Sequence, residues 1–211
     1  MENNFTRPKQ TTAAILFIII AVLIAGKTLL PSAAQMEALA LSINLLFSVI
    51  PYIIIVIGLL QSKGKFPIAG IGFILLALLS LRSLVVNISA TVRFASGANL
   101  MALLGGPLSL VVLNALALAS YVLMTLVFFL AAYGRTDPRK LTRQLGTPIF
   151  ICRLLITIIC GIQFTVYASM VAMVGGKVPA GSEMLVPNAL LSLAIAVLEM
   201  IAMRKAARVA K

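Results

Sequence analysis

Long apolar runs alternate with short polar gaps six times along the chain, at residues 12–30, 38–60, 66–88, 107–133, 148–174 and 184–203. Each run is close to the roughly 20 residues that a helix needs to cross bilayer hydrocarbon. Lipid offers no partner for backbone N–H and C=O groups, so uninterrupted apolar runs of this length predict helices that satisfy themselves. The predicted fold is all-α: residues 1–211 as one integral membrane domain, a polytopic bundle of six transmembrane helices with short connections.

The stretch 89–106 breaks the alternation. It holds Arg93, Ser96 and Asn99, then an apolar patch from Leu100 to Leu104, then Gly105-Gly106-Pro107. Gly-Gly-Pro stops a helix, and proline is accommodated in the first turn of the next one. We expect a short interfacial or partly re-entrant helix here, with an irregular loop as the alternative. The first run has features of a secretory leader, with Arg7 and Lys9 before it and Ser32-Ala33-Ala34 after it. It is longer than a leader's apolar region, and Lys27 stands where such a segment is normally uncharged. We therefore expect an uncleaved signal anchor.

Composition supports lipid as the solvent. Hydrophobic residues make up 62% of the chain and charged residues 10%, against roughly a quarter charged in soluble domains. The net charge of +12 would suggest nucleic acid in a soluble protein, but here the basic residues cluster in gaps beside apolar runs. The expected partner of these charges is anionic lipid, and no nucleic-acid partner is expected.

The gaps also alternate in charge. Arg7 and Lys9, Lys63 and Lys65, Arg135, Arg139, Lys140 and Arg143, and Arg204, Lys205, Arg208 and Lys211 place twelve basic residues on one side. Lys27, Arg93 and Lys177 place three on the other, while Arg82 and Arg153 fall inside runs. The positive-inside rule then puts both termini in the cytoplasm. The expected location is the plasma membrane, as a multi-pass protein of bacterial type.

Several runs carry a polar face. Arg153, Cys160, Gln163 and Tyr167 share a sector of the fifth run, beside a sector of small residues formed by Thr157, Gly161, Thr165, Ala168 and Ala172. That pairing predicts a central fifth helix, packed closely on one face and polar on the next. Asn188, Ser192 and Glu199 share a face of the sixth run, Asn114, Tyr121 and Thr125 of the fourth, and Asn44, Ser48 and Pro51 of the second, with Tyr52 nearby. Pro51 removes a backbone hydrogen bond in mid-run and marks a helix break. Arg153 and Glu199 fall at similar depth near the inner boundary and are expected to pair, since a lone charge in hydrocarbon is costly. Arg82 lies six residues before the outer end of its run, on the opposite face from Ser80, Ser83 and Asn87. Arg82, Asn44, Asn114, Gln163, Tyr167 and Asn188 are candidate ligand contacts, an arginine ringed by amides and a phenol. The competing expectation is that Arg82 snorkels to the interface or pairs with Glu37 or Glu183.

The chemistry that is missing narrows the function. There is no histidine, and the two cysteines, Cys152 and Cys160, sit eight apart in one apolar run, which predicts buried small hydrophobes without a disulfide. Neither a metal nor a cofactor is expected, and the single carboxylate inside a run, Glu199, leaves paired-carboxylate catalysis without its parts. No enzyme is expected. A G-x-x-x-x-G-K-[ST] loop is absent, so ATP use would require a separate ATPase chain.

The plan of about 200 residues, six short-looped runs and an outward polar region is similar to the substrate-binding S components of energy-coupling-factor vitamin transporters. Ala21-x-x-x-Ala25 in the first run resembles the small-residue surface those proteins present to a membrane partner. The expected function is therefore a transporter, or the substrate-binding membrane subunit of one, for a small polar or anionic solute. The alternative is a non-transporting scaffold or assembly protein acting through helix–helix interfaces with other membrane subunits. The orientation is testable with reporter fusions. A reporter active only in the cytoplasm should work after Lys211 and fail after Lys177; the reverse would overturn the assignment of sides.

Overall fold

A computed structural model describes residues 7–32, 38–60, 67–96, 109–133, 141–173 and 185–207, and all of these are helical. The helices are α1 (Arg7–Ser32), α2 (Ala38–Leu60), α3 (Pro67–Ser96), α4 (Ser109–Tyr133), α5 (Leu141–Met173) and α6 (Leu185–Ala207). Each is long and apolar enough to cross a membrane, so the protein is a multi-pass integral membrane protein. Local sequence accounts for two of the ends. Pro67 opens α3, where its missing N–H costs nothing, and Arg204 and Lys205 lie in the last turn of α6, where they complement the helix dipole.

The helices form a closed ring. Each packs on its neighbour in sequence, from α1 through α6, and α6 closes on α1. Between 28% and 39% of the residues in each spanning window are buried, so every helix turns one face inward and leaves the rest to lipid. The expectation of a central α5 is corrected by this arrangement. With a 28% share, α5 is as peripheral as α1 and α6, and Ile151, Leu155, Ile158 and Ile162 form an exposed apolar stripe along it. Lipid and protein interior are equally apolar, so a greasy face on the helical repeat does not reveal which solvent it meets.

Close approach occurs between α2 and α3 instead. A Cβ at Gly58 would lie 2.8 Å from the Ala69 methyl, and one at Gly72 would lie 2.8 Å from the Pro51 carbonyl oxygen. Around Gly161 on α5, by contrast, a Cβ would meet nothing within 4 Å. The small-residue sector of α5 is therefore not a tight seam there. Thr165 is exposed, and the side chains of Ala168 and Ala172 lie outside the described residues. Similarly, Ala21 of the Ala21-x-x-x-Ala25 pair is buried inside the bundle at 8% exposure, so it does not belong to an outward surface for a partner.

Three further expectations change. Residues 89–96 continue α3 rather than starting a separate helix, and 97–106 lie outside the described residues. The backbone has no breaker before Gly97, so the third helix simply runs on past its apolar part. At the other end, α5 begins at Leu141, seven residues ahead of Pro148. Neighbouring helices can compensate for a proline inside a membrane helix, and Arg204 of α6 donates to Thr147 Oγ1 at 2.9 Å beside it. Finally, Cys152 is buried but Cys160 is exposed, so only one of the two free thiols is a core residue.

The ring predicts a difference between glycines. Gly72→Val should lower the thermal midpoint of the detergent-solubilised protein, by about 1–3 kcal/mol in stability, because α2 must move away. Gly161→Ala should leave the midpoint almost unchanged. Equal losses at both positions would contradict the packing of α2 on α3.

Candidate functional site

The inside of the ring is filled unevenly. On the half toward the basic termini, large side chains occupy the lumen: Phe17 of α1, Tyr52 of α2, Phe73 of α3 and Phe128 of α4 are all at most 2% exposed. Phe17 stacks at 6.4 Å from both Tyr52 and Phe73, tilted against the first and edge-on to the second. Each such aromatic pair adds about 0.5–1.5 kcal/mol beyond its area. On the other half, α2, α3, α5 and α6 place short hydroxyl side chains at inward positions among the larger ones: Ser48, Ser80, Ser83, Thr157 and Ser192. Short hydroxyl side chains cannot reach across a six-helix ring, and a cavity of about 660 Å³ results, bordered by residues of all six helices. That size lies within the usual range of about 300–1,000 Å³ for small-molecule sites.

The base of the cavity is a polar cluster. Arg153 of α5 donates through Nε to Glu199 Oε2 and through Nη2 to Glu199 Oε1 at 3.1 Å. Nη2 also donates to the Tyr52 hydroxyl at 3.1 Å, and that hydroxyl donates to Glu199 Oε1 at 3.1 Å. Arg153 thus faces its carboxylate with two nitrogens, the geometry in which guanidinium and carboxylate bind best. Glu199 is 1% exposed, while the Arg153 side chain keeps 25% and borders the cavity. Sequence reading expects this pair near the inner boundary. In the structure the two side chains meet, with Arg153 twelve residues into α5 and Glu199 eight residues before the end of α6, so both stand nearer the basic ends of their helices.

Lys27 is the residue that sequence reasoning misplaces. Counted there as a charge of an outer gap, it lies within the spanning window of α1, borders the cavity, and donates through Nζ to Ser192 Oγ on α6. The inward positions Ala13, Phe17, Ile20, Ile24 and Lys27 follow one another at spacings of four and three, so the helical repeat itself carries Lys27 inward. That repeat is the only sequence signal for it. Removing Lys27 from the outer side makes the charge asymmetry of the gaps larger. Ser192 in turn donates to the Asn188 carbonyl at 2.7 Å. It stands seven residues from Glu199, about 10 Å higher along α6.

The six candidate ligand contacts are not gathered into one cradle. Arg82 is exposed and borders the cavity, as do Ser80, Ser83 and Asn87, so the opposite-face expectation for these residues does not hold once the long arginine side chain is placed. Gln163 Nε2 donates to Asn114 Oδ1 at 2.6 Å, which ties α5 to α4 away from the cavity. Asn44 and Asn188 do not border the cavity; their backbone carbonyls accept from Ser48 and Ser192. The Tyr167 side chain lies outside the described residues, as do Glu37 and Glu183, the suggested partners of Arg82. Pro51 is fully buried directly beside Tyr52, so the missing backbone hydrogen bond of α2 falls at the level of the polar cluster.

The hydroxyls that border the cavity mostly spend their protons on their own helices. Ser48, Ser83 and Thr157 donate to the carbonyls four residues back, at 2.7, 3.1 and 2.8 Å. Ser80 donates across to the Tyr121 carbonyl at 3.3 Å. Among the charged side chains that border the cavity, donors for a ligand remain on Lys27, Arg82 and Arg153. Among the described residues Glu199 is the sole carboxylate, so three cations face one anion and the cavity holds a surplus of two positive charges. No group of residues suited to a metal occurs among the described residues. No protein-family model, curated protein or solved structure matches the chain.

The cluster makes a prediction about stability. Glu199→Gln leaves the Arg153 charge uncompensated inside the bundle and should cost about 3–5 kcal/mol. The double variant Arg153→Met/Glu199→Leu should recover most of that loss, while Tyr52→Phe should cost about 1 kcal/mol. Thermal midpoints in one detergent measure all three; a mild Glu199→Gln would show that the pair is not a structural requirement.

Proposed function

We propose that this multi-pass membrane protein is a transporter, or the substrate-holding membrane subunit of one, for a small polar or anionic solute. The observation that carries the reading is the cavity: it is bordered by all six helices, rich in cationic donors, and stopped at its base by the cluster of Arg153, Glu199 and Tyr52. A ring with one filled half and one hollow half is the geometry of a carrier caught facing one side. By the charge asymmetry of the gaps, the hollow half faces outward.

Passage of a solute would require α2 to part from α5 and α6 at the cluster. Pro51 lies there, and a helix lacking one backbone hydrogen bond bends most easily at that point. Energy would come from an ion gradient or from a separate ATPase chain. The second reading, a scaffold, is favoured by the open space around Gly161, which leaves room on α5 for a helix of another subunit. Loss of a larger complex in Gly161→Leu, with uptake unchanged, would favour the scaffold.

Cysteine accessibility tests the transport reading. In a background with Cys152→Ala and Cys160→Ser, a membrane-impermeant thiol reagent added to intact cells should label Ser83→Cys and Thr157→Cys, two partly exposed cavity positions. It should not label Leu59→Cys or Ile149→Cys, which are buried. Absence of labelling at both cavity positions would remove the hydrated cavity and the reading with it.

A further inference from the structure

The two walls of the cavity differ in kind. This holds at its deep end: Arg153 of α5 stands there on one side, and Leu76, Leu79, Met124 and Phe128 of α3 and α4 on the other, while nearer the opposite end Lys27 and Ser192 stand across from Arg82, Ser83, Asn87 and Tyr121. In the order of the ring these sides face each other. We propose that the site takes an amphipathic organic anion, an acid whose carboxylate is held on the wall of α1, α5 and α6 and whose apolar body lies against α3 and α4. This deepens the transport reading and rests on it.

The donor count supports an anion. Among the described residues Arg153 Nη1 has no hydrogen-bond partner, since Nε and Nη2 make the bonds to Glu199 and Tyr52. Lys27 has three N–H donors and spends one on Ser192. Two cationic groups with unused donors therefore project from one wall, and Arg82 supplies a third from the other. Surplus positive charge in a low-dielectric site is costly, and a bound carboxylate offsets that cost directly.

The deep part of the facing wall argues against a fully hydrophilic anion. Its deep positions, Leu76 and Phe128, have no hydrogen-bonding side-chain atoms, and Met124 and Leu79 above them offer at most a weak thioether acceptor. The neighbouring Ser80 hydroxyl is committed to the Tyr121 carbonyl. A phosphate or a sugar acid placed there would lose water contacts without replacement, whereas a hydrocarbon body would lose none. Such an acid can reach the cavity as a free solute or from the lipid as a fatty acid; the head chemistry is shared.

The experiment uses the full chain in a mild detergent, with hexanoate, hexanamide, inorganic phosphate and palmitate as probes and the thermal midpoint as readout. Hexanoate should protect at about one-tenth the concentration hexanamide needs, the advantage expected of a charge-assisted hydrogen bond. Lys27→Gln keeps a donor for Ser192 and should fold with an unliganded midpoint close to the parent. It should weaken hexanoate about tenfold and leave hexanamide unchanged, as expected for loss of one charged contact. Should Lys27→Gln fail to fold, Leu76→Ser tests the apolar wall instead and should weaken hexanoate relative to acetate.

Hexanoate bound more tightly than palmitate identifies a free solute; the reverse order identifies a membrane acid. Equal protection by hexanoate and hexanamide overturns the proposal, and so does phosphate protecting better than both organic acids. No protection by any anion, with Ser83→Cys and Thr157→Cys still labelled from outside, overturns the organic anion while the hydrated cavity stands. If that labelling fails as well, the transport reading fails too.

Discussion

A guanidinium and a carboxylate inside membrane-spanning helices must be neutralised within the protein, and the rest of the bundle is arranged around that demand. Arg153 and Glu199 meet through two nitrogens and two oxygens, and Tyr52 from the far side of the ring bonds to both. Three helices are thereby tied at one level. Leaving either charge alone in hydrocarbon would cost more than most single contacts supply. The cluster also closes the lumen, so the same residues that satisfy the charges divide the ring into two halves.

The division is reinforced by side-chain size. Below and beside the cluster, Phe17, Phe73 and Phe128 span the interior and pack as a protein core. Above it, serine and threonine are too short to meet, so the helices enclose space. Association of membrane helices depends on packing and hydrogen bonds rather than on exclusion of water. A hollow half is therefore a real loss of packing, compensated by the filled half, by the contact of Gly58 and Gly72 with α3 and α2, and by the Gln163–Asn114 bond between α5 and α4. Such a loss is maintained where the space itself is of use.

Much of the fold was legible from the chain. Six apolar runs correspond to six helices because lipid permits a continuous apolar segment little else, and the polar spots within them marked helices that meet other helices. Legibility was poorer for the site. Arg82 reaches the cavity, yet Asn114 and Gln163 bind each other, and Asn44 and Asn188 do not border it. Amides between membrane helices satisfy one another as readily as a ligand, and their spacing along one helix does not distinguish these uses. Lys27 was missed for a related reason: a charge near the end of an apolar run looks the same whether it turns to the interface or into the lumen.

The sequence alone determined the class of solvent, the number of spans, the asymmetry of charge between the two sides and the charges that required company. These follow from length, hydropathy and the cost of a charge in lipid, each a property of one segment at a time. Only the tertiary structure decided the order around the ring, the meeting of Tyr52 with the Arg153–Glu199 pair, the inward turn of Lys27 and the existence of a cavity. Those depend on which faces of separate helices meet. In a membrane, a helix face toward lipid and a helix face toward protein are both apolar, so the pattern within one helix cannot supply the answer.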